Sequence, residues 1–416
     1  MKRVLLVLGN AAVGAFLTQS LLGGLILIGW TMRASRRAAL ALWWERSPHS
    51  SHAPTLGDWL QAHDRDNPDA SWPNWFLSQS GVAAQRGQEI ESRSGTWRRL
   101  ARVPFHSFFL NLKLGIQSLF NTWVLTMPGC VLMLFSWYDG WNNSFNKGYE
   151  QAPVGPLTGV LGILLFIIAM LYVPLAQARQ AVTGRWQAFY DFQFVWGLAR
   201  RRCVSNLLLA LGYTMLWLPL GILKTAPYFF AHNNRTVENY APEQALAFLN
   251  SYFLACGLAA FAAFILLRLW VARLYAAALV SGLHKDLVPL EALDEFERSS
   301  LARLDMIQVT PTRSRHLFLR IVAKTGKGIW NIGVLFATGF IWFTFIAQVY
   351  VSEFLHYHPV TAWLNQPLIQ LPWFRYVPAN LNSPLPELFL TLLFLAAVFS
   401  IGELLKKVRR LGAMRN

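Results

Sequence analysis

The unbroken apolar run from Leu161 to Ala176, LGILLFIIAMLYVPLA, limits the folds open to this chain more than any other stretch. Extended back to Pro156, it is long enough to cross the hydrocarbon of a bilayer as a helix. It then turns basic while keeping its helical pattern, through Arg179, Arg185 and Trp186 to the triplet Arg200, Arg201 and Arg202. The expectation is a span followed by an aromatic, amphipathic helix in the headgroup layer, with these six residues facing lipid phosphate.

Composition agrees with that start. A chain of 416 residues that is 54% hydrophobic and 14% charged, with 18 Trp and 29 Phe, holds more apolar matter than one water-soluble core absorbs. Its net charge of +16 is dealt out in clusters beside apolar runs rather than in one patch. That distribution favours anionic lipid headgroups over nucleic acid. Cys130, Cys203 and Cys256 fall inside or at the ends of apolar runs, with no disulfide or metal-type spacing.

Taken in order, the chain divides into a first transmembrane helix (1–32), an aromatic and polar cytoplasmic subdomain (33–107), and two spans with the interfacial helix (108–202). Two further spans (203–283), a charged helical segment (284–328) and a last pair of spans (329–416) follow, the last pair enclosing a Pro-rich, aromatic outer loop at 353–384. The fold class is an all-α polytopic membrane protein of about seven transmembrane helices plus amphipathic interfacial helices. Pro219 and Pro227 predict a kinked or broken fourth span. In 284–316, Leu290, Leu293, Phe296 and Leu301 form one apolar stripe, and Glu291, Asp294, Glu295 and Glu297 take polar positions.

Most of the 37 Lys and Arg fall in 33–113, 179–202, 268–327 and 406–415, which alternation of seven spans puts on one side. The positive-inside rule makes that side cytoplasmic, with the N-terminus outside. Phe108, Asn121 and Gly129 match Phe318, Asn331 and Gly339 at a constant offset, the pattern of a parallel internal repeat.

Motifs for chemistry are scarce. Glu387, Glu403 and Arg268 lie near span ends, where snorkelling anchors are expected. His356 and His358 suit an interface turn. His49, His52, Asp58, His63, Asp64 and Asp66 are metal-ligating types without a ligand spacing. The glycines Gly9, Gly14, Gly23 and Gly24 suit close helix packing. Nucleophile elbows, phosphate loops and zinc-protease helices are absent from the sequence. The expectation is a non-enzyme without cofactor or metal. Trp363, Trp373, Phe374 and Tyr376 in the outer loop belong either to a re-entrant or interfacial segment in the outer headgroup layer or to a docking surface for another protein.

The segment Ala176-x-Ala178-Arg179-x-Ala181-x-x-Gly184-x-x-x-Ala188-Phe189, ending at Arg200 to Arg202, resembles bacterial polytopic families of uncharacterised domains. That resemblance implies a multi-span inner-membrane protein and brings no catalytic residues. The function expected is an accessory, scaffold or assembly subunit of a larger bacterial membrane complex. The alternative is a transporter or lipid-handling protein built on the Pro-broken fourth span, with a polar cavity near Pro219, Lys224 and Asn331.

Overall fold

The structure is a computed structural model. It describes residues 2–51, 55–63, 69–77, 105–136, 154–233, 239–285 and 288–307, with isolated positions between 325 and 339. All regular structure among the described residues is helical. Apart from those isolated positions, the spans expected at 329–351 and 385–405, the outer loop with Trp363, Trp373, Phe374 and Tyr376, His356 and His358, and the second half of the repeat lie outside those residues.

The first apolar run is two helices rather than one span: α1 (Lys2–Leu17) and α2 (Leu21–Glu45). Side chains make the break. Thr18 Oγ1 and Gln19 Nε2 both donate to the Ala15 carbonyl (2.6 and 3.2 Å), and Gln19 also reaches the Phe253 carbonyl (3.0 Å). Ser20 then caps α2 by accepting from Gly23 N at 3.0 Å. As a result α2 carries Arg33, Arg36 and Arg37 inside one helix that continues to Glu45.

Around α2 pack α4 (His106–Phe135), α6 (Val173–Thr183) and α9 (Pro242–His284). The contact with α4 is backbone to backbone: a Cβ built on Gly29 would stand 1.7 Å from Asn111 O, and one on Gly115 1.9 Å from Leu25 O. Further out lie α5 (Val154–Met170), packed on α4, and α8 (Cys203–Asn233), packed on α9. The glycines singled out in α1 and early α2 do not make this contact; Gly14 faces Phe261, and Gly9 has nothing near it.

Short helices gather at one end: α3 (Leu56–His63), α7 (Phe192–Arg201) and α10 (Glu295–Arg303), with 3-10 turns at Pro48–Ser51, Trp186–Tyr190 and Leu290–Ala292. α6 stops at Gly184, whose φ of 71° gives the left-handed cap that turns the chain back. Residues 69–77 form an irregular strap. Trp75 stacks on Trp30 with ring centroids 4.0 Å apart, its Nε1 donates to Asn10 Oδ1 (2.8 Å), and Trp30 Nε1 donates to the Pro73 carbonyl (2.8 Å).

Two segments, Gly155–Thr183 and Pro242–His284, are long and apolar enough to cross a membrane; Val7–Leu17 and Cys203–Leu216 are apolar but shorter. Seven such helices are not found among the described residues. The fourth expected span is not broken, because α8 runs helically through both Pro219 and Pro227.

Candidate functional site

Ionisable side chains converge where α6, α7, α9 and α10 meet. Arg179, on α6, has only 4% of its side chain exposed, so it does not face lipid as its basic flank suggested. Its Nη1 pairs with Asp191 Oδ2 at 2.9 Å, its Nη2 donates to the Ala292 carbonyl (3.1 Å), and its guanidinium lies 3.5 Å over the Phe194 ring. Glu297 Oε1 stands 3.9 Å from Arg179 Nε and accepts from Tyr275 Oη.

Glu297 is wholly buried, a correction to its expected polar position on an amphipathic helix. The local reason is a capping box: Asp294 caps α10 by accepting from Phe296 N, and Glu297 Oε2 accepts from Asp294 N at 2.8 Å. The spacing Asp294-x-x-Glu297 was the signal available in the sequence. Burial pushes the Glu297 carboxyl above its ordinary value, outweighing Arg179 and the two donors that pull it down.

That direction has a consequence for stability. A carboxyl raised by folding contributes stability that is complete below its unfolded value and is lost as pH rises through the folded one. Relative to Glu297→Gln, the wild type therefore gains stability as pH falls from neutrality toward 4.5, its ordinary value. Thermal unfolding of both proteins across that range checks this; a constant difference would contradict it.

The remaining predicted interface residues are divided. Arg185 is 64% exposed but pairs with Asp294 Oδ2 at 2.7 Å. Trp186 is partly exposed, and its carbonyl accepts from Asn121 Nδ2 at 3.2 Å. Arg200 is exposed, Arg202 Nη2 donates to Ser281 Oγ (3.0 Å), and Arg201 lies against Gly282. The aromatic segment expected to lie along a headgroup layer instead folds inward. Phe189 and Phe192 are buried against Tyr172, whose Oη donates to the Phe189 carbonyl.

A neutral polar layer joins α4 to α6. Asn121 Nδ2 donates to Gln180 Oε1 (3.0 Å), Tyr190 Oη donates to Asn121 Oδ1 (2.9 Å), and Gln177 Nε2 donates to Thr122 Oγ1. Burial lifts the Tyr190 phenol to about 12, so it stays a donor at neutral pH. Tyr190→Phe removes that donor from Asn121 and is expected to lower unfolding stability by about 1 kcal/mol. A loss too small to measure in denaturant titration would contradict this placement.

Arg36 and Arg37 tie the strap to this end. Arg36 Nε pairs with Asp69 Oδ2 (3.0 Å), its guanidinium covers the Phe296 ring at 3.8 Å, and Arg37 Nη1 donates to the Asp69 carbonyl (2.7 Å). Of the histidine and acid residues of the first loop, His52, Asp64 and Asp66 lie outside the described residues, and His49, Asp58 and His63 each take other partners. His49 meets Asp305 at 2.8 Å, His63 contacts the Trp59 carbonyl, and Asp58 accepts from Thr55 Oγ1. Among the described residues no three metal-ligating side chains come together.

One buried cation stands apart. Arg268, expected to snorkel, is only 5% exposed between α2, α8 and α9. Among the described residues its Nε has no hydrogen-bond partner, its Nη1 reaches Met32 Sδ (3.7 Å), and its guanidinium lies 4.9 Å from the Phe264 ring.

Fold and site together define an all-helical protein with two segments able to cross a membrane and an ion-paired end. The chain has no match among protein-family models, curated proteins or solved structures. The resemblance of 176–202 to bacterial polytopic families is thus without a family match, and its residues form α6, a 3-10 turn and α7.

Proposed function

We propose that this chain is a membrane-embedded, non-enzymatic scaffold or accessory subunit of a larger membrane complex. The observation that carries the reading is where apolar side chains remain exposed. Phe16 on α1, Phe120 on α4, Leu164 on α5, Leu208 on α8 and Leu258 on α9 all point outward, whereas Arg179 on α6 pairs with Asp191 and Glu297, and Arg185 pairs with Asp294. Lipid or a partner's apolar surface is the medium in which such faces are stable. Glu297 and Arg179 are enclosed and occupied by partners, an arrangement suited to holding helices rather than to turnover.

In this reading the chain has about seven spans in a bacterial inner membrane. The ion-paired end lies with the basic segments on the cytoplasmic side and the N-terminus outside. Anionic headgroups meet Arg185, Arg200 and Arg202, and partner subunits meet the outer loop at Trp363, Trp373, Phe374 and Tyr376. Gentle detergent extraction from the native membrane, native gel separation and mass spectrometry of the band test it. Stoichiometric membrane proteins migrating with this chain are the expected result; a lone chain contradicts it.

The transport or lipid-handling alternative draws on the uncompensated cation at Arg268, since an ionisable group at membrane depth is costly unless it has a ligand.

A further inference from the structure

We infer that Tyr252 latches a hinge in α8: its hydroxyl supplies the hydrogen bond that Pro227 removes, and releasing it lets α8 bend at that point. In a regular α-helix the N–H of residue 227 donates to the carbonyl of residue 223, and a proline at 227 has no N–H to give. The Leu223 carbonyl is therefore the one that loses its helical donor. Tyr252, on α9, donates its Oη to that same oxygen at 2.6 Å.

Packing sets the donor in place. Leu216, Leu220 and Leu223 recur at helical spacing in the core, and Pro227 continues the same face one turn beyond Leu223. Tyr252 meets that face from α9, its ring flanked by those of Phe248, with centroids 6.2 Å apart, and Phe253, at 5.5 Å. The two neighbours restrict where the hydroxyl points, so little side-chain freedom is lost in making the bond. A carbonyl between apolar helices is costly to leave without a donor, and a neighbouring helix is one of the few sources of a replacement.

The same bond accounts for α8 continuing as a helix to Asn233. A proline ring presses on the carbonyl four residues before it, which opens a helix on the proline face. In α8 that face is turned to α9, and only the straight form keeps the Leu223 carbonyl within reach of Tyr252. Tyr275, in the ion-paired cluster, lies about 35 Å from Tyr252 along α9 at 1.5 Å per residue. The hinge thus sits at the far end of the bundle, where α8 can open without disturbing the ion pairs. The bond is internal to the chain and holds whatever medium surrounds the bundle.

Hydrogen exchange with mass spectrometry on the full-length protein in detergent tests the latch, read at peptides covering 224–233. Tyr252→Phe, which keeps the ring and drops the hydroxyl, is expected to speed exchange there about tenfold and to leave α10 unchanged. Pro227→Ala returns a backbone donor to Leu223, so adding Tyr252→Phe to it should change exchange by less than about twofold. Pro219→Ala is the control: the carbonyl it relieves is that of Met215, so the tenfold effect of Tyr252→Phe should persist on that background.

Exchange at 224–233 unmoved by Tyr252→Phe, or raised as much on the Pro227→Ala background as in wild type, would overturn the latch. Equal rescue by Pro219→Ala would overturn it too, because helix propensity rather than the missing donor would then decide the outcome.

Discussion

Replacing Arg179 by alanine is expected to cost about 3–5 kcal/mol of folding stability, the range for removing one partner of a buried ion pair. The loss has three parts. Asp191 keeps a buried carboxylate without the guanidinium 2.9 Å away, the Ala292 carbonyl loses its donor, and Phe194 loses the cation above its ring. Because these contacts join α6 to α7 and α10, the change should also loosen α10, read as faster hydrogen exchange at 295–303. The double change Arg179→Met with Asp191→Leu removes both charges and should recover much of the loss. Equal losses in the single and double variants would mean that packing, not charge pairing, holds this end.

Gly29→Val should be still more damaging. A Cβ at this position would stand 1.7 Å from Asn111 O and 2.5 Å from its carbonyl carbon, so the obstacle is main chain rather than a side chain able to rotate. Overpacking a core typically costs ~1–3 kcal/mol, but here relief requires separating α2 from α4 along their length. The expected outcome is loss of folded protein, or destabilisation above about 3 kcal/mol. Gly9→Ala is the control: nothing lies within 4 Å of a Cβ there, and replacing a helical glycine should stabilise slightly, by about 0.5–1 kcal/mol. A folded Gly29→Val protein with normal stability would refute the close α2–α4 crossing.

What the sequence made legible is the helical class and the apolar runs, because a run such as Leu161 to Ala176 commits the backbone to internal hydrogen bonds whatever surrounds it. The sequence misjudged the break at Thr18 to Ser20, because hydroxyl and amide side chains compete for helix carbonyls only when tertiary contacts such as Phe253 O are in place.

The fate of the charged residues was the least legible. Arg179 and Arg185 stand in one basic stretch, yet one is buried against Asp191 and the other is exposed beside Asp294. Residues in the turn just before α10, more than 100 positions away, contact both side chains, and periodicity within one segment does not report them. Glu297 and Tyr275 were missed for that reason, although the Asp294-x-x-Glu297 spacing marked where α10 begins; Asp191, in the same segment as Arg179, meets it only because the chain turns back at Gly184. Pro219 and Pro227 suggested a broken span; each removes one backbone donor, and α8 continues as a helix across both.

The central claim, an apolar bundle set in lipid with a self-paired polar end outside it, is tested most directly by site-directed spin labelling in lipid nanodiscs. With the exposed native Cys203 replaced by serine, single cysteines would be placed at the outward positions Leu164, Leu208 and Leu258, and at Arg200 and Ser299 on the ion-paired end. Collisions with oxygen, which concentrates in hydrocarbon, should dominate at the first three, and collisions with a water-soluble nickel chelate at the last two. Equal chelate access at all five sites would contradict the account.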